Sequence, residues 1–342
     1  MPTIDEMRIR QSLPLECKVA MTQKRILDWV REFGEDHVYV SFSGGKDSTV
    51  LLHIARQMFP DMEAVFVDTG LEFPELKKFV RNQYNVKILH PDMNFKQVIT
   101  TYGYPVISKE VSGSIYEVRN PNYHGTSKKA KLEGKLRTKD GRYSPFNQEK
   151  YKPLLYTDFR ISNQCCNIMK KRPVKRYDHK YDKYAMLGTM TEESRLRMQS
   201  WLKFGCNGFE RARPISNPMS IWTEQDVYRY IHKHNIKIAP VYGEVVQIRK
   251  SLFQCDLDKC KFCTTGQTRT GCVFCGYGAH LEKGETRFQR LKITHPRLYD
   301  YCIGGGSYNE TGIWAPDKNG LGMAHVFDEL NKLYGESFIR YK

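Results

Sequence analysis

The stretch Val40-Ser41-Phe42-Ser43-Gly44-Gly45-Lys46-Asp47-Ser48 does most to limit what this chain can fold into. His37 to Phe42 is a β-branched and aromatic run that reads as a strand, the paired glycines as a tight turn, and Ser48 to Met58 as a helix. A second apolar strand follows at Ala64–Val67 and ends at Asp68-Thr69-Gly70, then a helix over about 74–84 and a strand at Val86–Leu89. With a helix over 20–34 ahead of them, these segments alternate as β-α-β-α-β. That alternation predicts an α/β fold, a parallel twisted sheet with helices on both faces, in which ligands bind beyond the carboxyl ends of the strands. Ser43–Ser48 and Asp68–Gly70 both fall at such ends. A further strand is expected at Tyr184–Gly188, and a helix from Thr223 to His234 opened by a Thr cap with Glu224 and Asp226 in its first turn.

Glycines let the backbone approach an anion closely, and successive N–H groups at a helix N-terminus then point at it with the helix dipole behind them. The Ser43 and Ser48 hydroxyls can add donors. The spacing is not that of a Walker A loop, which needs four residues between its first glycine and Gly-Lys. Lys46 either contacts phosphate or faces solvent at the helix start. Asp47 shapes the loop or positions a metal ion.

Composition sets the wider limits. At 342 residues the chain exceeds what one hydrophobic core comfortably fills, so a main domain over 1–250 and a cysteine-rich, basic region over 251–342 are expected. Apolar residues make up 40% of the chain and never run uninterrupted long enough to span a bilayer; Met1–Glu16 also lacks the apolar core of a secretory signal. No membrane association and a cytoplasmic location are the expectation. The net charge of +16 suits nucleic acid or nucleotide phosphates as partners, or simply a soluble basic surface. Residues 119–153 hold ten Lys or Arg against three Asp or Glu, with Tyr123, Tyr143, Phe146 and Tyr151 interspersed. They read as an extended basic loop or a pair of short hairpins, either solvated or binding. Arg287 to Arg297 reads as a second basic, helix-like stretch.

Five of the ten cysteines lie between Cys255 and Cys275, in the pattern Cys255-x4-Cys260-x2-Cys263-x8-Cys272-x2-Cys275. Two C-x2-C pairs in a reducing compartment point to a metal or iron-sulfur site. A zinc knuckle of Cys260, Cys263, Cys272 and Cys275 is the simplest local solution.

Five stretches, in order, resemble one family. The loop is similar to the Ser-Gly-Gly-x-Asp-Ser signature of the PP-loop ATP pyrophosphatases. Asp68-Thr-Gly-Leu-Glu-Phe-Pro-Glu75, Cys165-Cys166 with Lys170-Lys171-x-Pro173, Gly188-Thr-Met-Thr-Glu-Glu-Ser-Arg195-Leu-Arg197, and Arg213-Pro-Ile215 leading to Trp222-Thr-Glu-x-Asp226-Val-x-x-Tyr230-Ile resemble stretches of the phosphoadenosine phosphosulfate (PAPS) reductase-like group. The resemblance spans about 20–245 and implies an adenine nucleotide alpha hydrolase-like fold. It implies a nucleotide site of Ser41, Ser43, Gly44, Gly45, Lys46, Asp47, Ser48, Asp68, Thr69, Gly70, Arg195 and Arg197, with Lys46, Asp47 and Arg195 at the chemistry. Arg195 and Arg197 would clamp an oxyanion, or else pair with Glu192 or Glu193. Met190 stands where the family has Arg.

The resemblance also implies a [4Fe-4S] cluster, held by Cys165 or Cys166 with Cys272, Cys275 and one of Cys260 and Cys263, with Zn²⁺ as the alternative. Three functions follow. The first is ATP-dependent adenylation of an acceptor, with Mg²⁺, DNA or RNA as acceptor and a sulfur donor such as a cysteine desulfurase. It is similar in logic to the adenylating component of DNA phosphorothioation or to tRNA thiolases. The second is a PAPS or adenylyl-sulfate reductase acting on a sulfonucleotide, against which no Glu-Cys-Gly-Leu/Ile-His segment occurs in this sequence. The third is a catalytically silent nucleotide-binding subunit. Cys302 reads as structural.

Overall fold

The computed structural model describes residues 2–248 and 260–342, so Cys255 lies outside the described residues. Their contacts gather the chain into two units: Met1–Asp68, Glu72–His90 and Pro173–Thr270 form the first, and Thr69–Leu71, Pro91–Arg172 and Gly271–Lys342 the second.

Six strands make the sheet of the first unit: β1 (Val38–Ser41), β2 (Glu63–Val67), β3 (Val86–Leu89), β4 (Tyr184–Leu187), β5 (Asn207–Gly208) and β6 (Ile215–Ser216). Their order is β3-β2-β1-β4-β6-β5. All pairings are parallel except that of the edge strand β5 with β6. Side chains alternate between faces along each strand. Tyr39, Val65 and Ala185 meet Tyr177 and Val174 of the helix Arg172–Tyr181. Tyr184, one residue from Ala185, stacks on Phe33 of the helix Leu15–Phe33 at 3.8 Å between ring centroids. Helices therefore cover both faces, as the alternation of apolar segments requires. The helix Glu224–His234 begins with a capping box in which the Thr223 hydroxyl accepts the Asp226 N–H, and Asp226 also takes the buried Lys18 ammonium at 2.7 Å. Such a cap contributes about 1 kcal/mol.

In the second unit, Val106–Ile107 pairs in parallel with Gly276–Tyr277, and Ser307–Tyr308 forms a hairpin with Trp314–Ala315. Helices Arg287–Thr294, Pro296–Ile303 and Met323–Tyr334 bury Phe288, Leu291, Cys302, Val326, Phe327 and Leu330. Cys302 is fully buried, in keeping with a structural role. The basic stretch from Arg287 is thus two helices parted at His295-Pro296, since Pro296 has no N–H to continue the first. Residues 119–153 differ from the expected loop or hairpins by containing a helix, Ser127–Leu132, besides a bridge between Arg137 and Tyr143. Its Lys-Lys-Ala-Lys-Leu run favours helix, and Leu132 anchors it by burial. Among the described residues no helix is long and apolar enough to cross a membrane.

Candidate functional site

Strand order reverses at β1: the chain proceeds to β2 and β3 on one side and returns as β4 on the other. The loop leaving β1 is Phe42–Gly45, so it opens at the topological switch point, where parallel sheets leave a crevice. Gly44 adopts φ +71°, and a side chain there would strike Val80 and Leu76 at 2.7 and 2.8 Å. Gly188, at the end of β4, is equally constrained: a Cβ would come within 2.9 Å of the Asp47 carbonyl oxygen. The glycine that opens the Gly188–Arg197 motif therefore lets the end of β4 approach the loop.

Within the loop the Ser43 N–H donates to the Ser48 hydroxyl at 3.2 Å and the Gly45 N–H to the Ser43 hydroxyl at 3.3 Å. The Lys46 N–H donates to the Tyr242 hydroxyl at 3.2 Å. These are long bonds between neutral groups, and an anionic phosphate oxygen would form shorter, stronger ones with the same donors. The helix Lys46–Met58 begins directly behind them and adds its positive end.

Lys46 is 3% exposed, so the solvent-facing alternative does not hold. Its ammonium donates to the Thr268 carbonyl at 3.1 Å, pairs with Glu224 at 3.1 Å and lies 3.8 Å from Asp47. It also sits 5.4 and 5.9 Å from the ring centres of Tyr228 and Tyr242. Burial disfavours its charge, but Asp47, Tyr228 and Glu224 outweigh burial and raise its pKa above the usual lysine value. Asp47 moves the other way in stability terms: burial raises its carboxyl pKa above the ordinary aspartate value, with Lys46 opposing and Glu224 reinforcing. Its Oδ1 is buried and makes no hydrogen bond to any described residue. A carboxylate oxygen without a hydrogen bond, beside a second acid, is of the kind a hard cation uses as a ligand, because Mg²⁺ takes one or two carboxylates together with phosphate oxygens.

The other expected nucleotide residues divide. Ser41 ends β1, and Ser48 hydrogen-bonds both Ser43 and the Gly45 carbonyl. Asp68 is buried and engaged by Lys77 at 2.9 Å and Arg81 at 3.4 Å, both on the helix Pro74–Arg81. Thr69 accepts the Leu71 N–H, and Gly70 adopts φ +75°; both belong to the second unit. Arg195 starts the helix Arg195–Phe204 and is exposed, whereas Arg197 is half-buried, pairs with Glu193 and is electrostatically linked to Asp47. Met190 is buried at 3%. Tyr242, Tyr228, Glu224, Thr270 and Arg269 were absent from the expected set. Thr270 bonds the Tyr242 hydroxyl at 2.7 Å, and Arg269 acts electrostatically on Asp47 and Arg197. Glu224 carried a signal, its place in the Trp-Thr-Glu stretch; Tyr242 and Thr270 carried none, being joined to the loop only by folding.

The cysteines also divide between the units. Cys260 and Cys263 flank Lys261-Phe262 in the first, where Cys260 is not a free thiol and Cys263 is half-buried. Cys165, Cys166, Cys272 and Cys275 lie in the second and line one cavity with Leu71, Phe95, Pro105, Met169 and Lys170. The helix Gln164–Cys166 carries one pair, and the parallel pairing of Gly276 with Val106 carries Cys275 beside it; a Cβ at Gly276 would meet the Pro105 carbonyl at 2.6 Å. Cys165 and Cys166 have their sulfurs 4.0 Å apart. The hydrogen bond from Cys165, together with Lys109 and Lys170, lowers the Cys166 pKa to about 5, while Cys165 is held protonated. Among the described residues no group of three or more His, Cys, Asp or Glu side chains could hold a metal ion.

The family model for the phosphoadenosine phosphosulfate reductase domain matches residues 37–117 and 122–276. The chain belongs to this family. An adenosine 5'-phosphosulfate reductase from Bacillus cereus is 26% identical over 218 residues, covering 64% of this chain and 72% of its own length. A phosphoadenosine 5'-phosphosulfate reductase from Xylella fastidiosa is 31% identical over 96 residues, 27% of this chain and 39% of that protein. Among solved structures, the Candida auris phosphoadenylyl-sulfate reductase in its phosphate complex is similar at TM-score 0.34 and 14% identity, over 70% of this chain and 91% of its own. The FMN adenylyltransferase of Candida glabrata gives TM-score 0.36 and 10% identity over 74% and 75% of the two chains. The names of the family and of these relatives are those of enzymes acting on adenine nucleotides.

Proposed function

We propose that this PAPS reductase family protein is a Mg²⁺-dependent ATP pyrophosphatase that adenylates an acceptor, with nucleic acid as the acceptor and a sulfur nucleophile, delivered by a donor such as a cysteine desulfurase, displacing AMP. The observation that carries the proposal is the Asp47 carboxylate, whose buried Oδ1 makes no hydrogen bond to any described residue and lies 3.8 Å from Lys46, close to Glu224 at the mouth of the loop. Two acids would repel a bare nucleotide, and a divalent cation reconciles them with it. The loop N–H groups, Lys46 and the helix end hold the β and γ phosphates. The acceptor oxygen attacks the α-phosphorus, the bond to the β-phosphate oxygen breaks, and pyrophosphate departs with its added charge opposed by Lys46; Asp47 would hold the cation, which would supply further positive charge there. Arg197, and Arg269 beside it, supply further positive charge near that position. Arg195, exposed at the start of its helix, is placed to meet an acceptor. Cytoplasmic location belongs to this proposal.

Cys165, Cys166, Cys272 and Cys275 would hold a [4Fe-4S] cluster, whose chemistry when bound is electron transfer or Lewis acidity. A sulfonucleotide reductase is the second reading, supported by the names of the relatives. The Asp47 carboxylate, whose Oδ1 makes no hydrogen bond to a described residue and has Lys46 only at 3.8 Å, favours ATP with its cation over it, since a sulfonucleotide binding alone gains nothing from an anion there.

The test is pyrophosphate release from ATP and Mg²⁺ by anaerobically purified protein, with and without DNA or tRNA, beside Asp47→Ala. Release that Asp47→Ala abolishes and one nucleic acid stimulates is expected. Silence in that assay with thiol-dependent sulfite formation from an adenylyl sulfate would overturn adenylation in favour of reduction; silence in both leaves a binding subunit.

A further inference from the structure

The second unit contains a cavity of about 400 Å³ apart from the cysteines, lined by Thr101, Tyr102, Tyr116, Arg119, Arg160 and Ile313 among others. Three segments fix its walls. The helix Phe95–Tyr102 ends at Gly103, φ +117°, where a Cβ would strike the Arg160 carbonyl group at 2.4 Å. The Tyr104 N–H then donates to that carbonyl at 2.8 Å, which holds Tyr102 beside Arg160. The helix Lys109–Val118 brings Tyr116, its ring centre 6.5 Å from that of Tyr102 and inclined at 56°. Arg119 caps that helix and donates to the Thr157 and Phe159 carbonyls at 2.8 and 2.7 Å. Arg160 spends one guanidinium nitrogen on the Thr101 carbonyl at 3.1 Å, and its side chain is otherwise exposed.

The charges in this cavity do not balance. Burial and then Arg160 both disfavour the positive charge of Arg119, and Asp158 opposes them only in part. Asp158 is itself committed to Tyr308 at 2.7 Å and His325 at 2.8 Å. Arg119 and Arg160 both line the cavity and no described Asp or Glu does, so its lining is suited to an anion, and guanidinium forks match phosphate. Two tyrosine faces beside them offer a surface for a flat base. The volume is that of a small-ligand pocket.

We propose that this cavity binds a nucleoside phosphate, with the base against Tyr102 and Tyr116 and the phosphate on Arg160 and Arg119. Two sources supply that chemistry: one unstacked residue of a single strand, or a free nucleotide. The basic segment 119–153 begins at the cavity with Arg119, so a strand is the expected source, and for that source the inference rests on the nucleic-acid reading above.

The experiment is fluorescence anisotropy of a labelled single-stranded octanucleotide at several salt concentrations, using intact protein, Asp47→Ala, Tyr116→Leu and Arg160→Gln, with AMP binding measured in the Asp47→Ala background. Arg160→Gln, at an exposed side chain, is expected to weaken strand binding about tenfold and lower the salt slope by about one. Tyr116→Leu should weaken it by a similar factor of roughly ten with the slope unchanged. Wild-type strand binding that neither cavity variant weakens sinks the cavity and spares the nucleic-acid reading. No strand binding at low salt, with AMP binding that Tyr116→Leu abolishes, sinks the nucleic-acid reading and leaves a free-nucleotide site. Binding of neither probe overturns both.

Discussion

The phosphate loop and the cysteine cavity are built on opposite principles. Ser43 to Ser48 are contiguous, and one strand, one positive-φ glycine and one helix end suffice to shape them. The cysteine cavity draws Cys165 and Cys166 together with Cys272 and Cys275 through a two-residue parallel pairing of Val106–Ile107 with Gly276–Tyr277. A site coded locally tolerates distant change and fails at its own residues. A site made by long-range pairing is exposed to any change in the elements that carry its parts.

The largest expected effect tests the independence of the two. Asp47→Ala should lower pyrophosphate release by about a thousandfold, while iron content of anaerobically purified protein stays at the wild-type level. Loss of iron in that variant would break the contrast. Conversely, Cys166→Ser or Cys275→Ser should remove most of the iron and the visible charge-transfer absorbance, with ATP affinity by calorimetry within about twofold of wild type.

Gly188→Ala sharpens the comparison, because it sits outside the loop yet presses on it. Its methyl would meet the Asp47 carbonyl at 2.9 Å, so ATP affinity should fall roughly tenfold. An unchanged affinity would mean that the loop yields freely. Tyr242→Phe removes the hydroxyl that accepts the Lys46 N–H and bonds Thr270; about 1 kcal/mol of stability should go with it in denaturant melts.

The smallest effect is a pH dependence. Burial raises the Asp47 pKa in the folded protein, so the native state binds its proton more readily than the unfolded chain. The carboxyl therefore favours folding most below the unfolded aspartate value, and that contribution is lost as pH rises through the folded pKa. Without Mg²⁺, Asp47→Asn should melt slightly above wild type at neutral pH, and the difference should vanish as pH falls below about 4. A variant that melts lower at neutral pH would place Asp47 in a stabilising ion pair instead.

Much of the first unit was legible in the sequence. The four expected strands appear within a residue or so of their runs, since β1 and β2 are short, apolar and bounded by Gly or Asp-Thr-Gly. The helix at Thr223 was legible because its capping box lies within four residues. Lys46 was left open between phosphate and solvent because a lysine at a helix start faces either way until something packs over it, and the covering groups, Tyr228, Tyr242 and the Thr268 carbonyl, come from far along the chain. The helix Ser127–Leu132 was missed because charge obscured a short run of good helix formers whose single anchor, Leu132, is meaningful only once buried.

The sequence by itself determined the alternation of strands and helices, the phosphate loop with its glycines, and the family to which they belong. Each depends on neighbours within a turn or a strand, where backbone sterics and hydrogen bonding act directly. Only the tertiary structure decided that both Cys165 and Cys166 share a cavity with Cys272 and Cys275, that Arg269 and Arg197 are electrostatically tied to Asp47, and that Tyr102, Tyr116, Arg119 and Arg160 close around one space. Those groupings depend on which elements pair and pack, and local propensity carries no record of that choice.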